Sequence, residues 1–298
     1  MDLVDIDDLA PGELHAVLDE ADRLRTASET SSPTKPLRDQ TLAMIFEKPS
    51  TRTRVSFETG MTQLGGHAVF LGPDDIQLGH GEPLRDTARV LSRYVDFITA
   101  RVFDHADVVE LAEYATVPVI NGLSDQAHPC QTLGDLLTIR DRFGTLDVDV
   151  AWVGDGNNVS QSLALGAAMT DLELTVATPS GYEIDDSVRE RAVEMGAPPT
   201  ETTDPGSALT GADVVYTDVW VSMGEEDRRA EKLQAFEGFQ VTRAVLGDRP
   251  LMHCLPAHRG EEVTDAVMEG DHLAWDQAEN RMHAQKGLLV WLAGAAGA

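Results

Sequence analysis

The segment best suited to bind an anion spans residues 47–56, with the sequence Glu-Lys-Pro-Ser-Thr-Arg-Thr-Arg-Val-Ser. It follows an apolar run that predicts a buried strand, and helical spacing of apolar residues returns after Ser50. The N–H groups and dipole at a helix start attract anions, and Ser50, Thr51 and Thr53 add hydroxyl donors. Arg52 offers a guanidinium that can bind two phosphate oxygens at once. The segment predicts a phosphate site, although a helix N-cap with solvent-facing arginines would have the same sequence.

A second polar cluster, His128-Pro129-Cys130-Gln131, lies just before a predicted helix. Pro129 fixes the turn, His128 can donate to a carbonyl oxygen, and Gln131 can both donate and accept. Arg101 lies at the end of another predicted strand, Phe97–Ala100. Taken singly, each is more often a surface residue than a ligand contact.

Later strand ends carry a different chemistry. Asp218 follows the predicted strand Val214–Tyr216, and Cys254 follows Leu251–His253. A carboxylate beside a thiol suits a cationic amine, whereas a helix-capping Asp and an inert buried Cys are the ordinary alternatives. Arg281, in Ala-Glu-Asn-Arg, is by default a charge on a helix surface.

The stretch Gly154-Asp-Gly-Asn-Asn-Val159 imitates a dinucleotide-binding turn. Val159 stands where the third glycine belongs, and Thr178-Pro179 follows the next strand where an acidic ribose ligand is expected. Nucleotide binding is therefore disfavoured. Asn157 and Asn158 either bind a polar ligand or shape the turn.

Alternating apolar runs and amphipathic stretches predict an α/β protein with two domains, each with a central parallel sheet flanked by helices. The site is then expected at the carboxyl ends of the strands. A helical face is predicted before a loop over Thr26–Pro36, and Val117–Ile120 is expected to end at an Asn121-Gly122 turn. The helical face comprises Leu14, Val17, Leu18, Ala21 and Leu24. The remaining predicted strands are Thr41–Phe46, Val69–Leu71, Val148–Val153 and Leu172–Ala177; the remaining predicted helices are Leu84–Tyr94, Cys130–Arg142, Val159–Met169 and Asp276–Leu292.

Acidic residues dominate the composition. The 298 residues include 51 Asp or Glu and 23 Lys or Arg, for a formal charge of −28, and only four of the bases are lysine. Concentrated salt relieves such self-repulsion, since the Debye length falls to about 3 Å at 1 M. The hypothesis is a salt-rich cytoplasm, as in extreme halophiles, and the surface argues against nucleic acid or anionic lipid as a partner.

No apolar stretch approaches the roughly 20 residues that span a bilayer, and the acidic start Met1–Asp5 is unlike a signal peptide. A cytoplasmic protein is expected. Cys130 and Cys254 form no zinc-type spacing and are expected to be reduced.

Together and in this order, these motifs resemble the carbamoyltransferase family over essentially the whole chain. Ser-Thr-Arg-Thr-Arg at 50–54 and His-Pro-Cys-Gln at 128–131 are similar to the family's carbamoyl phosphate motifs. Asp218 with Ser222-Met-Gly224, and His253-Cys-Leu-Pro-Ala257, resemble the branch that uses ornithine. The resemblance implies transfer of a carbamoyl group from carbamoyl phosphate to the δ-amine of L-ornithine, giving L-citrulline in arginine synthesis or, reversed, in arginine breakdown.

The resemblance also implies roles for individual residues and an assembly. Arg52, Arg101, His128, Asp218 and Cys254 are expected to be catalytic. Gln77 is expected to reach carbamoyl phosphate from a neighbouring subunit, in a homotrimer or larger. No cofactor or metal is expected. The other expected carbamoyl phosphate contacts are Ser50, Thr51, Thr53, Pro129, Cys130, Gln131, Leu255 and Arg281, and the expected ornithine contacts are Asn158, Asp218, Ser222 and Met223.

The resemblance divides the chain into a carbamoyl phosphate domain, 1–135, to which 276–298 returns so that the C-terminal helix packs back on it, and an ornithine domain, 136–275. The nearest alternative is the aspartate branch, which typically has a lysine in the loop that here spans Asp74–Arg85 and contains none. Putrescine would lack the α-carboxylate and α-amine that the Ser-Met-Gly loop is expected to recognise, and nothing favours N-acetylornithine. A non-catalytic Rossmann-type binding protein would explain the Gly154–Gly156 turn but not Arg52, Arg101, His128 and Cys254 together.

Overall fold

The computed structural model describes residues 1–29, 34–73 and 82–296. The chain divides into two compact units, Met1–Leu137 with Asn280–Ala298, and Thr138–Glu279. Each unit holds one sheet whose strand pairs are all parallel. Helices follow the strands along the chain, so the predicted α/β class with two parallel sheets is confirmed.

The first unit contains a four-stranded sheet in the order β2-β1-β3-β4. The central strands β1 and β3 are buried along almost their whole length, as expected for strands covered by helices on both faces. The strands are β1 Thr41–Phe46, β2 His67–Leu71, β3 Phe97–Arg101 and β4 Val119–Leu123, and the helices are α1 Pro11–Glu29, α2 Thr51–Leu64, α3 Leu84–Leu91, α4 His105–Tyr114 and α5 Pro129–Phe143.

The C-terminal helix α12, Ala274–Ala296, packs back against α1. Gly287 of α12 comes so close that an added Cβ would lie 2.5 Å from the carbonyl oxygen of Val17. The predicted return of the last helix to the first unit is therefore confirmed, and it depends on a residue without a side chain at the crossing.

The second unit contains a five-stranded sheet in the order β7-β6-β5-β8-β9. Trp220 and Phe236 stack at 5.3 Å between ring centroids in its core. The strands are β5 Asp149–Val153, β6 Glu173–Ala177, β7 Thr200–Thr202, β8 Val214–Thr217 and β9 Leu251–His253, and the helices are α6 Asn158–Ala168, α7 Asp186–Glu194, α8 Pro205–Ala208, α9 Arg229–Ala235, α10 Arg243–Leu246 and α11 Asp265–Met268.

Two predicted loops are wrong. Asn121-Gly122 is not a turn but part of β4, because the backbone N–H of Asn121 bonds to Leu3 and Ala100 pairs with Asn121 across the sheet. The loop predicted from Thr26 begins later, because α1 continues to Glu29. In that last turn of the helix, the Ser28 hydroxyl donates to the Leu24 carbonyl.

Within the described residues, every helix is too short or too polar to cross a lipid bilayer. No disulfide joins Cys130 and Cys254.

Candidate active site

The predicted phosphate segment forms the start of α2, directly after β1. Ser50 is the N-cap residue, and its Oγ accepts from the Thr53 N–H at 3.2 Å and donates to Thr53 Oγ1 at 3.0 Å. The first turn contains no acidic residue, so the positive end of the helix dipole is not offset there. Ser50 is therefore an N-cap, as the alternative interpretation of this segment predicts. The cap fixes the same backbone N–H groups that an anion would approach.

The two arginines of this segment have different surroundings. Arg54 is exposed, donates to Glu58 at 3.0 Å and lies over the Phe70 ring at 3.7 Å from its centroid. Arg52 is partly buried in the first turn of α2. The Arg54 guanidinium is held against the surface of its own unit, and the assignment of Arg52 to phosphate stays a prediction.

Lys48 is not among the residues predicted from the sequence, although it lies two residues before the helix cap. It is buried, and its Nζ lies 4.6 Å from the centroid of the Phe103 ring. The one clue in the sequence is scarcity, because the whole chain contains only four lysines.

Arg101, His128, Gln131 and Arg281 are all buried in the first unit. Arg101 is 5% exposed at the end of β3, and Arg281 is 4% exposed on α12. Gln131 connects two elements, since its Oε1 accepts from Arg281 Nη1 at 3.0 Å and its Nε2 donates to Asp135 at 2.8 Å. The surface alternatives for both arginines are therefore wrong.

Arg281 reaches this position because α5 and α12 approach closely at Gly134. A Cβ there would lie 2.8 Å from the Arg281 Cα. The buried Arg281 Nε donates no hydrogen bond within the described part of the chain. A buried guanidinium with an unused donor suits an anionic ligand.

The electrostatics of this cluster keep His128 neutral. Burial lowers the pKa of His128 well below its usual value, and the charges of Arg281 and Arg101 lower it further. A neutral imidazole can still donate one hydrogen bond to a carbonyl oxygen. Burial raises the pKa of the Cys130 thiol to about 12, and that thiol points to the Asn121 carbonyl at 3.5 Å.

In the second unit, Asp218 lies just past the end of β8 and is buried. Asn157 is the N-cap of α6 and donates from Nδ2 to Asp218 at 3.2 Å. Burial raises the pKa of Asp218 to about 6, and the Asn157 hydrogen bond acts in the opposite direction. Asn158, expected from the sequence to bind ligand, is the first residue of α6 and follows Asn157 directly.

His253, at the end of β9, lies between Asp218 and the following loop. Its Nδ1 accepts from the Leu255 N–H at 2.9 Å and lies 3.9 Å from Asp218, while its Nε2 lies 3.2 Å from Glu262. Because Nδ1 accepts, this pattern assigns the proton to Nε2, which donates to Glu262. Leu255 has a positive φ of 63° and a cis bond to Pro256. A bulky residue in that backbone region is uncommon and occurs often at functional sites.

The remaining predicted residues are half-buried, exposed or outside the described residues. Ser222 is half-buried and Met223 is 45% exposed, in the segment after Trp220. Cys254 is half-buried between His253 and Leu255. Gln77 lies outside the described residues.

Both units match domains of one family. Residues 1–141 match the carbamoyl-P binding domain of aspartate/ornithine carbamoyltransferases, and residues 146–292 match the Asp/Orn binding domain. The chain belongs to the aspartate/ornithine carbamoyltransferase family.

Relatives within this family are similar over their whole length. The ornithine carbamoyltransferase of Haloquadratum walsbyi is 63% identical over 97% of this chain and 96% of that protein. The structure of ornithine carbamoyltransferase from Pyrococcus furiosus is 51% identical, with a TM-score of 0.92 over 97% of this chain and 95% of that chain. Ornithine transcarbamoylase from Giardia lamblia, at 34% identity, has a TM-score of 0.88 over 98% and 97% of the two chains.

The two buried clusters fall mainly within different matched domains of the family. The phosphate segment and His128 lie within the carbamoyl-P match, and Asp218 and His253 lie within the Asp/Orn match. Arg281 also falls in the second match by sequence, yet it belongs to the first compact unit. A late helix thus supplies a cation to the cluster around His128.

One group of described residues has spacing suited to a metal ion. His258, Glu261 and Glu262 each place one ligand atom within 4.8 Å of the others. Glu262 already accepts from His253, and Glu261 is paired with Arg229. The expectation that this family member needs no metal or cofactor stays a prediction.

Proposed function

We propose that the chain transfers the carbamoyl group of carbamoyl phosphate to the δ-amine of L-ornithine, giving L-citrulline and phosphate. The observation that carries this proposal is the buried Asp218, held by Asn157 and followed by the Ser222-Met223-Gly224 segment. A desolvated carboxylate is a strong partner for an ammonium group and repels a second carboxylate such as that of aspartate. The relatives named ornithine carbamoyltransferase support the same substrate.

Carbamoyl phosphate is assigned to the cationic cluster of the first unit. The start of α2 and Arg52 bind the phosphate, with Ser50, Thr51 and Thr53 as hydroxyl donors. Arg101, His128 and Gln131 hold the carbamoyl end, and Arg281 completes the anion site. The family resemblance adds Pro129, Cys130, Cys254 and Leu255 to these contacts, and Gln77 of a neighbouring subunit.

L-ornithine is assigned to the second unit. Asp218 binds an ammonium group, and Asn158, Ser222 and Met223 orient the amino acid. Because an amine attacks through its lone pair, the δ-amine must be uncharged when it reacts.

In the reaction, the nitrogen lone pair attacks the carbonyl carbon of carbamoyl phosphate and a C–N bond forms. The bond from that carbon to the bridging oxygen breaks, phosphate leaves with the electron pair, and the proton lost by the nitrogen passes to the departing phosphate. Neutral His128 donates a hydrogen bond to the carbonyl oxygen, and Arg52 and Arg101 stabilise the charge that develops there and on phosphate. The protein contributes mainly orientation, for which effective molarities reach about 10⁵ M or more.

The test is a product assay in molar KCl with carbamoyl phosphate and, in parallel, ornithine, aspartate or putrescine. Citrulline and phosphate formed in equal amounts from ornithine alone are expected. Carbamoyl-aspartate or carbamoyl-putrescine would keep the transfer reaction but overturn the assignment of Asp218. No product from any amine, with a folded protein, would contradict the enzyme itself.

The domain division and the assembly belong to the same proposal. Residues 1–135 with 276–298 form the carbamoyl phosphate domain and 136–275 the ornithine domain. The active protein is a homotrimer or a larger assembly, since Gln77 is assigned to a neighbour's site. Sedimentation equilibrium is expected to give at least three times the monomer mass of 32.3 kDa.

The surface charge supports a protein adapted to a salt-rich cytoplasm. At a formal charge of −28, self-repulsion is strong in dilute buffer and is screened in concentrated salt. We expect the thermal midpoint to rise by about 10 °C when KCl is raised from about 0.05 M to molar concentration. An equal midpoint at both concentrations would contradict adaptation to salt.

A further inference from the structure

One lysine of the second unit is buried between two carboxylates. Lys232, on α9, is 2% exposed, and its Nζ lies 2.6 Å from Asp155 and 2.5 Å from Glu225. Lysine is rare in this chain, with four in 298 residues. A buried ammonium is retained only where carboxylates or other acceptors replace its water.

The first carboxylate is a fixed anchor. Asp155 follows β5 and lies two residues before Asn157, the residue that donates to Asp218. The Asp155 carbonyl accepts from Trp152 Nε1 at 3.0 Å and from the Ser160 hydroxyl at 3.2 Å. The backbone of Asp155 is therefore tied both to β5 and to the first turn of α6.

The second carboxylate holds the segment assigned to ornithine. Glu225 Oε2, the same oxygen that binds Lys232, accepts from the backbone N–H of Ser222 at 3.0 Å. The backbone at Ser222 is thus connected through Glu225 and Lys232 to Asp155, over a path of charge-assisted hydrogen bonds. Such bonds are stronger than neutral ones.

We propose that Lys232 is a positioning residue that fixes the Ser222-Met223-Gly224 segment relative to the Asp155–Asn157 turn, and so sets the affinity for the amino-acid substrate without touching it. This inference rests on the proposed ornithine site. It differs from an ordinary ion pair because its lysine is buried. The neighbouring pair Arg228–Glu231 is 51% and 62% exposed and is screened by salt, whereas a buried pair is screened much less. The contact therefore persists at the molar salt proposed for this protein.

The direct change, Lys232→Met, leaves two carboxylates without their cation and is expected to destabilise the unit itself. Glu225→Gln is the sharper variant, because it removes the charge that links Lys232 to Ser222 and keeps the Lys232–Asp155 pair. Glu225 is 30% exposed, so its amide remains partly hydrated. The matched control is Glu231→Gln, on α9 next to Lys232, which removes the charge of an exposed pair with Arg228 and keeps an amide oxygen to accept from the Tyr182 hydroxyl.

The experiment measures steady-state kinetics and backbone hydrogen exchange of residues 219–226 for the wild type and both variants in molar KCl. For Glu225→Gln we expect the ornithine KM to rise about tenfold, as for loss of a charge-assisted hydrogen bond, with kcat and the carbamoyl phosphate KM within about twofold. Exchange of 219–226 is expected to accelerate while β5 and β6 stay unchanged. The control is expected to match the wild type in all readouts.

Unchanged exchange at 219–226 would overturn the positioning role, and so would faster exchange with an unchanged ornithine KM. A fall in kcat with an unchanged ornithine KM would also overturn it, since affinity would not be the affected quantity. Were the wild-type protein inactive with ornithine, the exchange result alone would decide: faster exchange in Glu225→Gln supports the contact, and unchanged exchange removes it.

Discussion

The buried cluster around His128 and the buried cluster around Asp218 have opposite charge. The first contains the guanidiniums of Arg101 and Arg281 beside the His128 imidazole. The second contains the carboxylates of Asp218 and Glu262 beside the His253 imidazole. Burial is the largest cause of the pKa shifts of His128 and Asp218. It lowers the pKa of His128 and raises the pKa of Asp218. In each case burial favours the neutral form of the group.

This difference shows that net charge says little about a site. A chain with a formal charge of −28 buries a cationic cluster made of Arg101 on β3 and Arg281 on α12. Under the proposed function, each cluster is completed by a substrate group of the opposite charge. Burial of these groups in the free protein is then the cost of a strong interaction with that substrate.

Arg52→Ala tests the cationic cluster and is expected to have the largest effect. Loss of a cation that stabilises the developing charge should lower kcat for citrulline formation by about 10²- to 10³-fold. The matched control is Arg54→Ala in the same helical turn, because Arg54 is held by Glu58 and Phe70. The control should stay within about threefold of wild type, and equal losses in the two variants would contradict the distinction between them.

Asp218→Asn tests the acidic cluster in two opposite ways. It should lower kcat/KM for ornithine by about a hundredfold, because a buried ammonium loses its charged partner. The same change should raise the free energy of unfolding at pH 7 by about 2 to 3 kcal/mol, since the native pKa of about 6 exceeds the usual aspartate value of 3.8. Kinetics and chemical denaturation measure the two effects. A variant that is both inactive and less stable would mean that Asp218 is chiefly structural.

The pH dependence of Asp218 has a defined sign. Because its pKa is raised on folding, its favourable contribution to stability is present below about pH 4 and is lost as pH rises through about 6. The stability difference between Asp218→Asn and wild type should therefore grow from pH 4 to 7. Below pH 6, protonation of Asp218 should lower the wild-type kcat/KM for ornithine by about tenfold per pH unit. This decrease adds to the one caused by protonation of the ornithine δ-amine. A stability difference that is constant over this range would contradict the shifted pKa.

Gly134→Ala tests how the cationic cluster is assembled and should have the smallest effect. The added Cβ meets the Arg281 backbone, so α12 must shift, at a cost of about 1 to 3 kcal/mol in unfolding free energy. The carbamoyl phosphate KM should rise about fivefold, while the ornithine KM changes little. The control is Gly294→Ala, on the helix that carries Arg281. A Cβ added at Gly294 has nothing within 4 Å, so this variant should match the wild type. A larger change in the ornithine KM would contradict the assignment of Arg281 to the anion site.

The parallel sheets can be predicted from local sequence, and so can candidate site positions at the strand ends. Thr41–Phe46 and Leu251–His253 are predicted strands with candidate site residues in the segments that follow, and both are strands with those bounds. Parallel strands place such following residues at one edge of a sheet, so the candidate residues can be found from the strand ends. The short helix α7 offers no comparable pattern, since Val188 and Ala192 are the buried residues described for its nine positions.

Local sequence cannot predict contacts between distant residues. Gln131 binds Arg281 across 150 positions, and Lys232 binds Asp155 across 77. No periodic pattern encodes such a pair, so in the sequence Arg281 is indistinguishable from a surface charge and Lys232 carries no signal beyond its rarity. The contact of Arg54 with Phe70 is likewise absent from any local pattern in the sequence.

The most direct test of two oppositely charged sites is the affinity for inorganic phosphate, measured by ³¹P NMR on the wild type, Arg281→Met and Asp218→Asn. Phosphate stands for the leaving group of carbamoyl phosphate, and circular dichroism verifies that each variant is folded. We expect a Kd raised about tenfold or more by Arg281→Met and unchanged by Asp218→Asn. Equal phosphate affinity in Arg281→Met and wild type, or a loss shared by both variants, would contradict two separate sites of opposite charge.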